Sequence, residues 1–284
     1  MKMKNTNIQT LETIDTSQIL QVFNESFADY IVPMKLTEEQ LEFKMKSDKT
    51  DKGLSIMVKE EDKPIAFILH GKQVLNGKLT VYNGGTGVVP GNRGAGWVRE
   101  MYDLILPLLK ENKVEELVLE VITGNAPAIK SYKKIGYTIH RKLKCYRGKI
   151  APGKITKHAE IREISGFDWK KKQSFWDIHP TWQNSANVLE EIKEHCKILG
   201  AFVHDKLVGY LIFNPDARKV YQFAVSPEHR RKGIGTQLFA ALKQETGEDI
   251  SIINVDEGSK ATHLFLKKTG LEVFIEQYEM KRAV

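Results

Sequence analysis

Two loops of the same design dominate the chain: "VVPGNRGAGWV" at residues 88–98 and "VSPEHRRKGIG" at residues 225–235. Each joins an apolar strand end to a proline, an arginine, glycines and then a helical periodicity. Glycine there lets backbone approach a ligand without a Cβ in the way, and a helix start offers free N–H groups and a partial positive charge. That combination suits a phosphate. Arg230, Arg231 and Lys232 add full charges around Gly233 and Gly235, which favours a pyrophosphate over a neutral ligand. The surroundings recur with the loops. Arg93 stands 43 residues before Gly136, which ends a short late helix, and Arg230 stands 40 before the matching Gly270. A loop that repeats with its whole neighbourhood marks a duplicated domain.

The periodicity of each half follows one order. Residues 16–30 place Ile19, Leu20, Phe23 and Phe27 at helical spacing, and residues 37–48 begin a second helix behind a Thr cap with early glutamates. Residues 54–60 and 64–71 read as a hairpin, and residues 78–90 as a strand entering the first glycine loop. A helix over 96–112 turns Val98, Met101, Ile105 and Leu108 to one face, with Pro107 kinking it or marking its last turns. A strand over 114–122, a short helix over 125–136 and a β region over 137–148 close the half near residue 150. The stretch 148–159, rich in Gly, Pro and Lys, reads as the linker. The second cycle runs through a strand (159–164), helices over 166–178 and 186–198, a hairpin (201–213), a strand (219–227), a helix (233–246), a strand (250–255), a helix (260–270) and a last strand (271–280). The expected domains are residues 1–150 and 151–284. The fold class is α/β (α+β), each domain a mixed, mostly antiparallel central sheet flanked by helices.

Composition excludes several classes. With 41% hydrophobic and 28% charged residues, each half can bury a core of its own. The net charge of +7 raises nucleic acid, but Lys and Glu interleave along stretches such as "LEEIKEHCKIL", so the excess fits an anionic small molecule better than a duplex. Cys145 and Cys196 stand far apart with no His or Cys at ligand spacing, which points to neither a disulfide nor a metal and leaves both thiols inert. The N-terminus lacks an apolar leader core, and no stretch reaches the roughly 20 apolar residues of a membrane span. A cytoplasmic protein without membrane or nucleic-acid partners is expected.

The two loops and their sequels resemble the GNAT superfamily of N-acetyltransferases. Its signature is a strand ending V-x-P, then [Q/R]-x-x-G-x-[G/A] opening a helix, and later N-x-x-A with Y-x-x-x-G-[F/Y]. Residues 225–235 match the first element in full, with Arg230, Gly233 and Gly235; residues 88–98 match it with Arg93 and Gly96, but Val98 replaces Gly or Ala. For the later element the roles reverse. Asn125, Ala128, Tyr132, Gly136 and Tyr137 are in register, whereas Ser259 and Leu266 stand where Asn and Tyr belong. The likeness covers nearly the whole chain, once per half.

What the resemblance implies is acetyl transfer from acetyl-CoA to an amine by direct attack in a ternary complex, without a metal. The implied cofactor cradle is Val88, Val89, Arg93, Gly94, Ala95, Gly96, Val98 and Asn125 in the first half. In the second it is Val225, Arg230, Arg231, Lys232, Gly233, Ile234, Gly235 and Thr236. Tyr132 is the implied general acid at the CoA sulfur. Glu120 and Tyr82 are base candidates beside a water-mediated base, and His263 or Tyr278 could replace the acid that Leu266 cannot supply. Chemistry is expected in the N-terminal half. The aromatic and amide cluster Trp176, Trp182, Gln183 and Asn184, and the first-half segment 27–36, are candidate acceptor walls. The acceptor is a small-molecule or peptide amine of open identity, and a monomer is preferred because two fused copies can replace a dimer. The rival reading is a non-catalytic CoA sensor or scaffold, for which Leu266 and Val98 argue.

Overall fold

The computed structural model of the protein describes residues 5–32, 34–166, 168–247 and 249–284. Met1 to Lys4 of the N-terminal stretch, Pro33 of the first acceptor segment and Phe167 of the helix expected over 166–178 lie outside the described residues. The chain forms two compact units, Met1–His140 with Tyr278–Val284, and Arg141–Gln277.

Unit 1 opens with β1 (Thr6–Thr10), α1 (Thr16–Phe27) and α2 (Glu38–Ser47), then β2 (Ile56–Glu60), β3 (Lys63–Leu75) and β4 (Lys78–Val88). It continues with α3 (Trp97–Glu111), β5 (Glu116–Ile122) and α4 (Ala126–Lys134), and β6 (Thr138–Lys149) follows. The Thr cap read for α2 is a full capping box: Thr37 Oγ1 accepts from Gln40 N–H while Gln40 Oε1 accepts from Thr37 N–H. Strands β1 to β4 pair antiparallel in sequence order, and β4 pairs parallel with β5. Because strand side chains alternate, the unit carries a core on each face of its sheet. Ile56, Val58, Ile68, Val81 and Leu117 pack under Met101, Tyr102, Ile105 and Leu109 of α3, while Met57, Phe67 and Leu69 pack under Ile19, Val22 and Phe23 of α1.

Unit 2 repeats the plan with β7 (Glu160–Glu163), α5 (Trp169–Gln173), α6 (Ala186–Glu191), β8 (Lys197–Val203), β9 (Lys206–Asn214) and β10 (Lys219–Val225). Then come α7 (Ile234–Thr246), β11 (Asp249–Asp256), α8 (Lys260–Lys268) and β12 (Glu272–Ala283). Here β10 pairs parallel with β11, while β7 with β8, β8 with β9, β9 with β10 and β11 with β6 pair antiparallel. The strand order of unit 1 is β1-β2-β3-β4-β5-β12 and that of unit 2 is β6-β11-β10-β9-β8-β7. These units are not one cut of the chain near residue 150. Strand β6 starts in unit 1 and ends in unit 2, and β12 does the reverse.

Several helices differ from their periodicity. The first ends at Phe27, not residue 30. The helix expected over 166–178 is formed only by Trp169–Gln173, and the next stops at Glu191, followed by a single 3-10 turn, Lys193–His195. Its C-terminal apolar residues, from Ile198 onward, are claimed by pairing with β9, so sheet formation overrides local helical spacing. On α3 the buried face holds Tyr102 and Leu109 where Val98 and Leu108 were expected, and Pro107 lies just before the last turn. Among the described residues no helix is long and apolar enough to cross a membrane.

Candidate active site

In each unit a parallel strand pair comes apart at the same place. β4 and β5 pair from Thr80↔Glu116 to Asn83↔Leu119, after which β4 follows β3 alone. In unit 2, β10 and β11 pair through Val220↔Ile252, and β10 then follows β9. Asn83 and Val220 both stand ten residues before the loop arginine. Past these points no ladder joins the facing strand edges among the described residues, which opens a wedge with backbone donors and acceptors left to a ligand.

The loops close the wide end of each wedge. Each leaves its strand, makes a 3-10 turn (Pro90–Asn92 or Pro227–His229), and enters the helix through a left-handed glycine N-cap: Gly96 at φ +91° and Gly233 at φ +79°. A glycine cap provides no side-chain acceptor, so the first-turn amides stay available to a ligand. The arginines have another task. Arg93 donates from Nε to Val88 O (3.1 Å), from its terminal nitrogens to both Asp29 oxygens (2.7 and 2.8 Å) and to Ser26 O (3.0 Å). Arg230 repeats the clasp on Val225 O (2.9 Å), Asp177 (3.3 Å) and Phe175 O (2.8 Å). Both side chains tie the loop to the helical segment between the first two strands of their unit, so their charge is committed within the chain. Arg231 and Lys232 remain exposed beside Gly233.

Behind the unit 1 wedge lies a buried polar network. Asn83 Nδ2 donates to Tyr102 OH (3.0 Å) and Thr86 Oγ1 (2.7 Å), and Tyr102 OH meets Tyr137 OH (2.9 Å). Tyr132, on α4, is 8% exposed, with its phenol beside Thr86 and Asn83. Burial pushes its pKa far up, so it holds its proton throughout the neutral range. Asn125 caps α4, its Oδ1 accepting from Ala128 N–H (3.2 Å) and its Nδ2 reaching Tyr30 OH (3.4 Å). In unit 2, Leu266 is fully buried and Ser259 caps α8 without a side-chain bond to backbone.

The Acetyltransferase (GNAT) family model matches this chain twice, over residues 17–137 and 160–271, which are the two wedges with their loops. The chain belongs to the GNAT family. A GCN5-related N-acetyltransferase from Sphaerobacter thermophilus superposes with a TM-score of 0.72 at 12% identity, covering 98% of this chain and 95% of the other. A tandem GNAT protein of the clavulanic acid biosynthesis pathway gives 0.71 at 13% identity, with 98% of both chains covered. No curated protein matches.

Within this GNAT frame the base candidates sit together. Tyr82 and Asn83 alternate, so Tyr82 faces away from α3, and burial followed by the charges of Glu120 and Asp48 raises its pKa well above the usual value. Such a phenol is not a base at neutral pH. Tyr278 packs on the unit 1 core, which removes it as an acid for the second GNAT wedge. His263, on α8, has its Nδ1 2.6 Å from the OH of Tyr146 on β6, which pairs with β11 on the edge away from β10. Trp182 is core rather than wall, whereas Trp176 and Asn184 line a cavity. Cys145 bonds with Asn254 inside unit 2, and burial pushes the Cys196 thiol up to about 12, so neither is a nucleophile. Sequence reasoning missed Asn83, Thr86 and Tyr102. The one signal for them was an asparagine before "GGTG", a polar residue at a position where the strand should be apolar.

Proposed function

We propose that the protein transfers an acetyl group from acetyl-CoA to a primary amine in the wedge of unit 1. The observation that carries this is the juxtaposition of a buried, protonated phenol at Tyr132 with the open glycine loop. A Cβ built at Gly91, Gly94 or Gly96 meets no described atom within 4 Å, leaving room for a diphosphate against the amides of Gly94, Ala95, Gly96 and the first turn of α3. Arg93 shapes this loop through its clasp, and Val88, Val89 and Val98 flank it. Asn125 positions Tyr132 by capping its helix.

The chemistry is an addition and an elimination. The neutral amine adds to the thioester carbon, backbone N–H groups on the freed edge of β4 receive the developing oxyanion, and the C–S bond breaks. Tyr132 gives its proton to the departing sulfur and regains one from solvent through the Thr86 and Asn83 contacts. The amine loses its proton to water, because Tyr82 is itself protonated. In a thiol-release assay with acetyl-CoA and a panel of amines, release should require an amine. The Tyr132→Phe variant should lower it by about 10²-fold or more, the usual weight of one acid–base group. Release unchanged in Tyr132→Phe would place the chemistry elsewhere.

A further inference from the structure

The repeat lets the two wedges be compared position by position, and three positions differ in kind. Seven residues before the loop arginine stand Thr86 and Phe223; nine after it, Tyr102 and Phe239; and just before Tyr132 and Leu266, Ser131 and Phe265. In unit 2 the three phenylalanines form one cluster, with ring centroids 5.0 to 5.7 Å apart. The Phe265 ring covers Gly235, its Cε2 and Cζ lying 3.2 Å from where a Cβ would stand. Ser131 turns back instead to Pro127 O on its own helix (3.0 Å). Over the first turn of α7 the chain before β7 is strapped down: Gln237 Oε1 accepts from His158 and Ala159 N–H (2.9 and 3.1 Å), and Gln237 Nε2 donates to Ala159 O (3.0 Å). This strap brings His158 within 3.6 Å of the Cβ position of Gly233. A nucleotide and its long arm entering here would displace an aromatic cluster and a hydrogen-bonded strap together.

What remains in unit 2 is a cavity of about 80 Å³ between the parted ends of β10 and β11. That is room for roughly six non-hydrogen atoms, taking about one per water-sized volume. Four of its side chains form a relay: Trp176 Nε1 to Tyr210 OH (2.6 Å), Tyr210 OH to Gln222 Oε1 (2.8 Å), Gln222 Nε2 to Asn184 O (2.6 Å), and Asn184 Nδ2 to Ile253 O (3.0 Å). Since Asn184 must present its NH₂ to that carbonyl, its Oδ1 is left as an acceptor with no partner among the described residues. Asp177 adds a carboxylate, and Trp176, Tyr221 and Phe223 supply ring surface. One unpartnered amide oxygen and a carboxylate held on one side by Arg230, set against aromatic walls, fit a cation that carries N–H groups.

We propose that unit 2 takes no CoA and is instead a binding module for a small ammonium compound, held in this cavity. The first clause rests on the reading of unit 1 as the CoA site. Calorimetric titration of the full chain with CoA should give one site per chain, and Ala95→Glu, which sets a carboxylate in the unit 1 loop, should remove it. Two sites, or binding that survives in Ala95→Glu, overturns the proposal. Titration with n-butylammonium chloride, followed by heat and tryptophan fluorescence, should saturate below about 50 mM, as five non-hydrogen atoms allow. The uncharged isostere 1-butanol should bind at least tenfold more weakly. Ala224→Leu, which fills the cavity, should weaken butylammonium at least tenfold while its CoA titration stays intact. No saturation, equal binding of butanol, or an unmoved Ala224→Leu overturns the ammonium site. If CoA binds nowhere, the proposed activity of unit 1 fails, and the butylammonium titration still judges the cavity alone.

Discussion

His70 stands on β3 with no exposed surface, its ring edge against Tyr102 and its Nδ1 donating to Leu54 O (2.7 Å). Its Nε2 has no hydrogen-bond partner among the described residues, so a proton there would be a buried, unanswered charge. Burial lowers the pKa from 6.5 to about 4, against which the Leu54 bond works only weakly. The unfolded chain therefore binds the proton first as pH falls. Stability is unaffected by this group above pH 6.5 and declines between 6.5 and about 4, by roughly 3 kcal/mol at 1.36 kcal/mol per pKa unit. Urea unfolding at several pH values should show that slope in the wild type, and His70→Leu should flatten it whatever its effect on the baseline. An equal slope in both proteins would assign the acid sensitivity to other groups. At the same scale, Arg93 and Arg230 show how a motif residue can matter to a ligand without touching it. Each holds its loop through two backbone carbonyls and an aspartate, a role invisible in a pattern that records only the arginine.

At the scale of elements, the loop-to-helix junction was the most legible part of the chain, because glycine, proline and arginine act over a few residues and leave their marks in order. Both junctions form where the pattern put them, and both enter their helix through a left-handed glycine. They are not equally comfortable. Gly94 at φ +79° is matched in unit 2 by Arg231 at φ +63°, where a Cβ crowds the following carbonyl. Arg231→Gly should relieve that strain and raise the stability of unit 2 by about 1 kcal/mol, read as a higher urea midpoint for the transition of that unit. A lowered midpoint would mean the side chain contributes more than its backbone costs. The helices around residues 166–198 were the least legible. Their apolar spacing is helical, but Ile198 and Leu199 gain a partner strand on either side, and that gain depends on residues far along the chain. The plug over Gly235 was hidden for the same reason: Phe223, Phe239 and Phe265 meet only after three elements have packed.

At the scale of the whole chain, the duplication is readable but the fate of its last strands is not. Residues 137–148 and 271–280 both carry a strand pattern, and nothing local in a strand names its partner. Residues 278–284 in fact belong to unit 1, where Met280 is fully buried in the core, Val284 N–H donates to Glu115 O (3.3 Å) and Lys281 pairs with Glu116 (2.8 Å). Removing a buried methionine alone costs about 2–5 kcal/mol, a large share of the 5–15 kcal/mol that holds a domain folded. The first half expressed as residues 1–150 should therefore lack a cooperative melt, although its motif, loop and Tyr132 are all present. Adding a peptide of residues 272–284 should restore the melt in a concentration-dependent way, since a partner that binds only the folded form stabilises by mass action. If residues 1–150 alone unfold cooperatively at the temperature of unit 1 in the full chain, the final strand contributes nothing essential, and the N-terminal half is a self-sufficient domain.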